Sequence, residues 1–361
     1  MEERFAGRTF PSICASGASA ERLCAFDGAE TPLNESPMTT LARHDLLMLP
    51  PESCGLRWEG RFAGDATALT AESAAKGQLW RSELMRLNPH AIVLADIPYD
   101  SVPVDRLPMS SPLWRRAANG HIDTAITVSG TRGRIKFESS TFLKLFQKQI
   151  GALLASGVVD GIVLRSWQDK LPASLALVQA ARRGVGREGV ILLGSGVAPP
   201  VRTGAYANGI LVVDDPREKP VWPLLAGITA WANTYLRKPG FTVLESIAPR
   251  TRLQLYDMRM ATTMALAFGD GYVTFEDGSG HDWYEMWAPN LGRPTGSAYR
   301  KDGAFRREFQ NGLVVFNPPI NRTVYVEFSS AHTSTAKSLS TRRVSVQPGD
   351  GDILLAKPPE H

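Results

Sequence analysis

The chain has 361 residues, of which 43% are hydrophobic and 21% are charged, an ordinary composition for a globular protein with a large core. No run approaches the roughly 20 apolar residues that a membrane-spanning helix needs, so we expect no membrane partner. The net charge is +4, and the 40 basic and 36 acidic side chains are interspersed, which argues against a nucleic-acid partner.

The cysteines Cys14, Cys24 and Cys54 are odd in number and lack the spacing of a metal site. We therefore expect free thiols, and neither a metal nor another cofactor. The N-terminus has no apolar core of the kind that a classical export signal carries. The compartment stays open, with an extracellular protein and a component of a larger particle as alternatives.

Strand-like apolar runs recur along the chain, with room for one helix in the intervals between several of them. Residues 1–20 look like a loosely attached N-terminal arm. The number and spacing of these eight runs predict an α/β protein, a (β/α)8 TIM barrel over residues 21–290. The predicted strands are Arg22–Asp27, His44–Leu49, Ala91–Asp96, Asp160–Leu164, Gly189–Ser195, Asn208–Asp215, Phe241–Ser246 and Met264–Phe268.

Helical spacing of apolar residues predicts helices over residues 68–87, 140–156, 222–235 and 251–263. Residues 99–140 are rich in Pro, Ser, Gly and Arg and are too long for an ordinary connection. We interpret them as a functional excursion over one face of the barrel. Contact with the substrate is one role that we consider for this segment.

After Gly269 the pattern changes to short strands that are broken by turns and have no helices between them. This alternation predicts a small antiparallel β module, which we place at residues 291–361 as a β-sandwich-like unit. Its predicted strands are Gly312–Phe316, Thr323–Phe328, Arg343–Val346 and Asp352–Ala356.

Polar residues at the predicted C-terminal ends of the strands are the candidates for a site, because that end of a β/α barrel carries the chemistry. Carboxylates that converge there suit glycoside hydrolysis, in which one group protonates the leaving oxygen and another acts as nucleophile or positions water. The alternative is that these carboxylates cap helices or pair with Arg165. The candidates for substrate binding are Asp27, Asp96, Tyr99, Arg165, Trp167, Asp215 and Trp283.

Several segments also resemble a known group in their order along the chain. They are Leu87–Leu94, Asp160–Leu164, Asn208–Leu211, Trp287–Pro294 and Phe305–Pro318. Together they resemble the bacterial glycosyl hydrolases of the glycosidase-like TIM-barrel group called hypothetical family fifteen, which is similar to the endo-α-1,4-polygalactosaminidases. The likeness covers roughly residues 20–330, and its most specific part runs from the Leu-Gly-Arg-Pro motif to the Asn-Pro motif.

The resemblance implies a TIM barrel, a C-terminal β module and hydrolysis of a polysaccharide, with one carboxylate at the fourth strand and another near the sixth. This chain departs from that pattern, since Arg165 stands where the relatives place the fourth-strand acid. Either Asp169, Asp96 or Glu245 then takes the catalytic role of the missing fourth-strand acid, or catalysis has been lost. We take Asp214 as the best candidate for an acid/base group, with Glu245 or Asp169 as its catalytic partner.

Two functions therefore remain open. In the first, the protein is a glycoside hydrolase that acts on a polysaccharide. In the second, it is a non-catalytic carbohydrate-binding or structural barrel, for example a subunit of a surface or virus-like assembly. Arg165 either pairs with a neighbouring carboxylate or binds the carboxylate of an acidic sugar through paired hydrogen bonds.

Overall fold

The computed structural model describes residues 1–16, 35–127, 130–214, 221–247, 254–276 and 283–356. The helices in these ranges are α1 (Glu2–Gly7), α2 (Pro37–Ala42), α3 (Ala71–Leu87), α4 (Ser140–Ala155), α5 (Ser174–Val185), α6 (Trp222–Tyr235) and α7 (Gln254–Phe268). The strands are β1 (Ser12–Ser16), β2 (Leu46–Leu49), β3 (Ile92–Asp96), β4 (Ser101–Pro103), β5 (Thr124–Thr127), β6 (Gly130–Arg134), β7 (Gly161–Leu164), β8 (Val190–Leu193), β9 (Gly209–Asp214), β10 (Phe241–Ile247), β11 (Tyr272–Glu276), β12 (Tyr299–Lys301), β13 (Ala304–Phe309), β14 (Gly312–Asn317), β15 (Val324–Ser334), β16 (Leu339–Val346) and β17 (Asp350–Ala356).

Eight strands form a closed barrel in the order β1, β11, β10, β9, β8, β7, β3, β2, and every neighbouring pair is parallel. α-Helices connect the successive barrel strands except β8 and β9, between which only the 3-10 turn Gly204–Tyr206 lies, and a separate antiparallel sheet follows the barrel. The predicted α/β class, the TIM barrel and the C-terminal antiparallel sheet are confirmed.

The first and last barrel strands differ from the prediction. The strand predicted at Met264–Phe268 is wrong, because these residues end α7 and the barrel closes with β11. A short apolar run fits a buried helix as well as a strand, and residues 261–267 are buried without interruption. The strand predicted at Arg22–Asp27 lies outside the described residues. Residues 1–20, expected to be a loose arm, contain α1 and β1, and β1 pairs with both β2 and β11.

The barrel lumen is filled by alternate residues of its strands, and α1 closes its N-terminal end. Phe5 of α1 lies with its ring 4.8 Å from Phe241 and 6.1 Å from Tyr272. Arg4 forms an ion pair with Asp160 at 2.6 Å, which ties the helix to the residue before β7. The buried lumen residues are Cys14, Leu46, Met48, Ile92, Leu94, Val163, Val190, Leu192, Leu211, Phe241, Val243 and Tyr272.

Side-chain caps fix the helices that flank the site. Thr70 caps α3 by accepting a hydrogen bond from the backbone N–H of Ser73, and Ser139 caps α4 through the N–H of Phe142. Helix α3 ends at Leu87, directly before Asn88 and Pro89, because the residue before a proline disfavours the helical conformation.

The long segment between β3 and α4 carries its own three-stranded antiparallel sheet, in the order β4, β6, β5. Trp114 is fully buried beneath it, and a Cβ at Gly133 would overlap the Trp114 ring. The predicted excursion is therefore an ordered insertion, and it begins where β3 ends, at the C-terminal mouth of the barrel.

The C-terminal module is one six-stranded sheet in the order β12, β13, β14, β17, β15, β16 among the described residues, where a β-sandwich-like unit was expected. It packs on α7. Arg259 of α7 pairs with Asp350 of β17 at 2.7 Å, and a Cβ at Gly351 would overlap Thr263. Ring contacts join Phe268 to Phe305 and Phe316 of the sheet.

Candidate active site at the barrel mouth

Three charged side chains continue the lumen-facing series of their strands at the C-terminal end. Asp96 follows Ile92 and Leu94 on β3, and Glu245 follows Phe241 and Val243 on β10. Arg165 comes two residues after the lumen residue Val163. Because side chains alternate along a strand, all three point into the mouth of the barrel.

The guanidinium of Arg165 joins the two carboxylates. Its Nε donates to Oδ2 of Asp96 at 2.6 Å, and its Nη1 donates to both oxygens of Glu245 at 3.0 and 2.9 Å. The side chain of Glu245 is 8% exposed, while those of Asp96 and Arg165 are 23% and 30% exposed. A molecule in the mouth would thus contact the cluster of Asp96, Arg165 and Glu245 mainly through Asp96 and Arg165.

The backbone around Arg165 is fixed by the next strand. Gly194 donates to the carbonyl of Leu164 at 2.9 Å and accepts from the N–H of Trp167 at 2.7 Å. Ser166, between them, has a φ of 53°, in the left-handed region. A Cβ at Gly194 would lie 3.1 Å from the Cα of Arg165, so a larger residue there would press on the turn.

The charges of the cluster act on one another. Burial raises the pKa of Asp96 above its usual range; Arg165 lowers it, nearby Glu245 raises it, and the net shift is upward. Burial by itself would lower the pKa of Arg165, but Glu245 and Asp96 outweigh burial, so that the pKa rises and the guanidinium stays charged. The cluster thus holds Asp96, whose pKa is raised, beside a guanidinium that stays charged.

Asp214 lies on the other face of its strand. It continues the series of Ile210 and Val212, which pack in the layer between barrel and helices, and its own side chain is buried. Its strand therefore does not carry it to the lumen face that holds Glu245. Asp27 and Asp215, both candidates from the sequence, lie outside the described residues.

Asp169 is bonded within the loops around the mouth. Its Oδ2 accepts from the backbone N–H of Arg202 at 2.9 Å, and its Oδ1 accepts from the hydroxyl of Thr203 at 2.6 Å. The same hydroxyl accepts from Nε1 of Trp167 at 3.0 Å. Asp169 and Trp167 thus join the loop after β7 to the loop before β9.

The aromatic candidates are mostly packing residues. Tyr99 is buried and donates its hydroxyl to the carbonyl of Ser166 at 2.9 Å, and its ring lies 5.6 Å from the buried Trp167. Trp283 packs 5.8 Å from His44, just before β2, at the end of the barrel away from the mouth. None of the three rings offers a broad exposed face at the cluster.

A cavity of about 330 Å³ opens beside Asp96. Its walls come from the loop after β2, the end of β3, the insertion and α4. The sequence interpretation named none of its other polar or aromatic residues, although the strand-stopping Pro50–Pro51 marks the start of the first loop. Those that matter below are Glu52, Trp58, Arg106, Arg132 and Gln149.

The described part of the chain holds no cluster of metal-binding side chains and no membrane-spanning helix. No group of three or more His, Cys, Asp or Glu side chains is arranged there to hold a metal ion. None of the helices there has the length and apolarity to cross a bilayer.

The sequence matches no protein-family model and no curated protein. Among solved structures, the chain is similar to the maltogenic α-amylase AmyB of Thermotoga neapolitana, with a TM-score of 0.55 and 12% identity over 95% of this chain and 98% of the other. It is also similar to the α-amylase of Geobacillus thermoleovorans in complex with acarbose, with a TM-score of 0.55 and 11% identity over 98% and 100% of the two chains.

A third similar structure is the isomalto-dextranase of Arthrobacter globiformis T6 in complex with panose, with a TM-score of 0.51 and 11% identity over 98% of this chain and 73% of the other. Two of these neighbours therefore hold oligosaccharides. At such identities the likeness establishes a fold shared with TIM-barrel glycoside hydrolases, without assignment to one family.

Proposed function

We propose that the protein is a glycoside hydrolase that cleaves a polysaccharide at the C-terminal mouth of its barrel, with Asp96 and Glu245 as the reacting carboxyl groups. The observation that carries the proposal is the pair of carboxylates bound to one guanidinium, at the end of the barrel where β/α enzymes place their chemistry. The fold shared with glycoside hydrolases supports it.

The two carboxyl groups have different environments, as acid/base pairs require. Asp96 has a raised pKa and an accessible side chain, so it suits the general acid that protonates the leaving oxygen. Glu245 is more deeply buried and its negative charge is compensated by Arg165, so it suits the nucleophile or the base that activates water.

Arg165 has a positioning role in this proposal. A guanidinium cannot accept a proton, so it cannot replace the acid that the resembling hydrolases carry at the fourth strand. By bonding both carboxylates it fixes the side chain of Glu245 and sets its distance from Asp96. In this proposal the acidic pair lies on the third and seventh barrel strands, whereas the resemblance implied the fourth and the sixth.

The test is a screen of the purified protein against bacterial exopolysaccharides and soluble glucans, with new reducing ends as the readout. We expect turnover on at least one polymer, and a loss of roughly 10²-fold or more in Glu245→Gln with an unchanged circular dichroism spectrum. Turnover that survives in Glu245→Gln would contradict the assignment.

A non-catalytic carbohydrate-binding barrel is the second candidate, and one observation favours it. Arg165 contacts both oxygens of Glu245 and one of Asp96, which is an arrangement that a purely structural ion cluster also shows. Saturable binding of a polysaccharide with no product after long incubation would select this candidate over the hydrolase.

A further inference from the structure

The cavity beside Asp96 is a preformed space. Its floor is held by Gln149 of α4, whose Nε2 donates to the carbonyls of Ala63, Gly64 and Ala66 at 3.1, 3.3 and 3.0 Å. Gly64 in turn donates to the carbonyl of Arg106 at 2.8 Å, which joins the loop after β2 to the insertion. Because these hydrogen bonds fix both walls, a ligand would meet them already in place.

Trp58 gives the cavity a rigid aromatic wall. It is half-buried and sits on a short ladder, in which Thr70 donates to the carbonyl of Arg57 and Glu59 donates to the carbonyl of Ala68. Proline rings add apolar surface on the walls around it. The side chains concerned are Pro50, Pro51, Pro98 and Pro103. Flat apolar faces of this kind pack against the C–H faces of sugar rings.

The charged groups of the cavity are already partnered. Arg106 pairs with Glu52 at 2.6 Å, and Asp96 pairs with Arg165 at 2.6 Å. Arg132 donates through Nη2 to the carbonyl of Ser101 at 2.6 Å and through Nε to the Ser101 hydroxyl. Arg132 thus bonds neutral oxygens, and its positive charge acts on nearby Asp96. The guanidinium groups of Arg106, Arg132 and Arg165 therefore balance the carboxyl groups of Glu52, Asp96 and Glu245 in number.

We propose that this cavity is a subsite for an uncharged sugar residue, seated on Trp58 next to the reacting carboxyl groups, and that it selects neutral polysaccharides over acidic and basic ones. The proposal rests on the proposed function, since Asp96 belongs to both the cavity and the cluster. The paired side chains can still donate hydrogen bonds to sugar hydroxyls, or accept hydrogen bonds from them, while they keep their ion pairs.

Charged sugars fit this chemistry poorly. A uronic acid would bring a carboxylate into a mostly apolar space in which Arg106 and Arg132 are engaged, and an amino sugar would bring an ammonium where Glu52 and Asp96 are engaged. In either case a charge loses its water in a mostly apolar space whose own charges already balance in number, which is costly. Arg165 does not line this cavity, so the binding of an acidic sugar by Arg165 would not occur here.

The experiment uses hexasaccharides matched in linkage and different in charge. The α-1,4 set is maltohexaose, hexagalacturonate and hexa-galactosamine, and the β-1,4 set is cellohexaose, hexamannuronate and chitosan hexaose. Binding to the full chain is measured by calorimetry at neutral pH and moderate salt. We expect the neutral member of one set to bind at least roughly tenfold more tightly than its charged counterparts.

Two variants of Trp58 and one control variant locate the binding. Trp58→Ala should weaken binding of the neutral hexasaccharide by roughly tenfold or more, and Trp58→Phe should retain most of it because the flat face remains. Tyr325→Ala is the matched control, because Tyr325 is an exposed aromatic residue on the C-terminal sheet and does not line this cavity. It should bind as the unchanged protein does.

Three results would overturn the subsite: stronger binding of a charged member, equal affinity of Trp58→Ala and the unchanged protein, or no binding of either neutral hexasaccharide. A failure of the proposed function looks different. If the neutral hexasaccharide binds through Trp58 but is never cleaved, the subsite stands and the hydrolase assignment falls. If cleavage is found and Trp58→Ala leaves binding unchanged, the assignment stands and the subsite falls.

Discussion

At the scale of single residues, Arg165 is the counter-charge for Asp96 and Glu245. Arg165→Gln should leave two facing carboxylates in a half-buried mouth and lower the free energy of unfolding by about 2–4 kcal/mol near pH 8. The loss should shrink near pH 5. Without Arg165 the native-state pKa of Asp96 rises further above its unfolded value, so the folded variant takes up a proton as the pH falls and gains stability.

Denaturant unfolding at the two pH values measures this effect. Arg115→Gln is the control, because Arg115 pairs with Glu138 on the surface, where a lost ion pair costs at most about 1 kcal/mol. An equal loss of stability at both pH values would contradict the carboxylate repulsion.

Asp45, just before β2, is another buried carboxyl, and it lies away from the mouth. Burial raises its pKa to about 6, against a hydrogen bond from Asn88 and the charge of Arg8, which both lower it; the thiol of Cys14 lies nearby. Because the folded pKa exceeds the unfolded one, stability from this group declines as the pH rises from about 4 to about 6 and then levels off.

Asp45→Asn should remove that decline and stabilise the protein above pH 7 by roughly 1–3 kcal/mol, since an amide carries no charge to bury. Thermal unfolding of both proteins from pH 4 to pH 8 measures it. Parallel curves over that range would show that Asp45 does not titrate there.

At the scale of elements, α1 is a structural plug at the N-terminal end of the barrel. Phe5→Ala should remove the ring that packs on Phe241 and Tyr272 and cost about 3 kcal/mol, as other Phe truncations in cores do. Ile126→Ala, a truncation at a side chain that is 88% exposed, should change stability by less than about 0.5 kcal/mol. Similar melting temperatures for the two variants would show that α1 is not part of the folded core.

The sequence predicted most barrel strands because each is a short β-branched or Leu-rich run between turn residues. It misassigned Met264–Phe268, since an apolar run that is buried on every side has no period that separates helix from strand. For the same reason, the sequence did not show which face of β9 carries the side chain of Asp214. All residues from Ile210 to Val213 are apolar, so no alternation in the sequence marks the lumen face of β9.

The candidate site was partly predictable. Asp96, Arg165 and Glu245 were found because strand-end polar residues of a β/α barrel converge on one mouth, but their pairing needed the register of strands that are distant in sequence. The cavity residue Trp58 was missed because it lies in a loop, and no local pattern shows that this loop, the insertion and α4 meet around one space.

At the scale of the whole molecule, the C-terminal sheet is packed against α7 through close backbone contact. Gly351→Val should force its new side chain into Thr263, whose hydroxyl is bonded to the carbonyl of Arg259, and lower the free energy of unfolding by about 1–3 kcal/mol. Gly296→Val is the control, because a Cβ there meets no atom within 4 Å. Equal stability of the two variants in urea would contradict a tight interface between sheet and barrel.

The placement of the reacting groups is tested most directly by three amide variants compared on one polysaccharide that the unchanged protein cleaves. Asp96→Asn and Glu245→Gln should each lower kcat by roughly 10²-fold or more, because the general acid and the nucleophile or base are lost. Asp214→Asn should stay within a few-fold of the unchanged protein, since Asp214 lies on the helix-facing side of β9. Full activity in Glu245→Gln together with loss of activity in Asp214→Asn would place the chemistry at the sixth strand and contradict the cluster around Arg165.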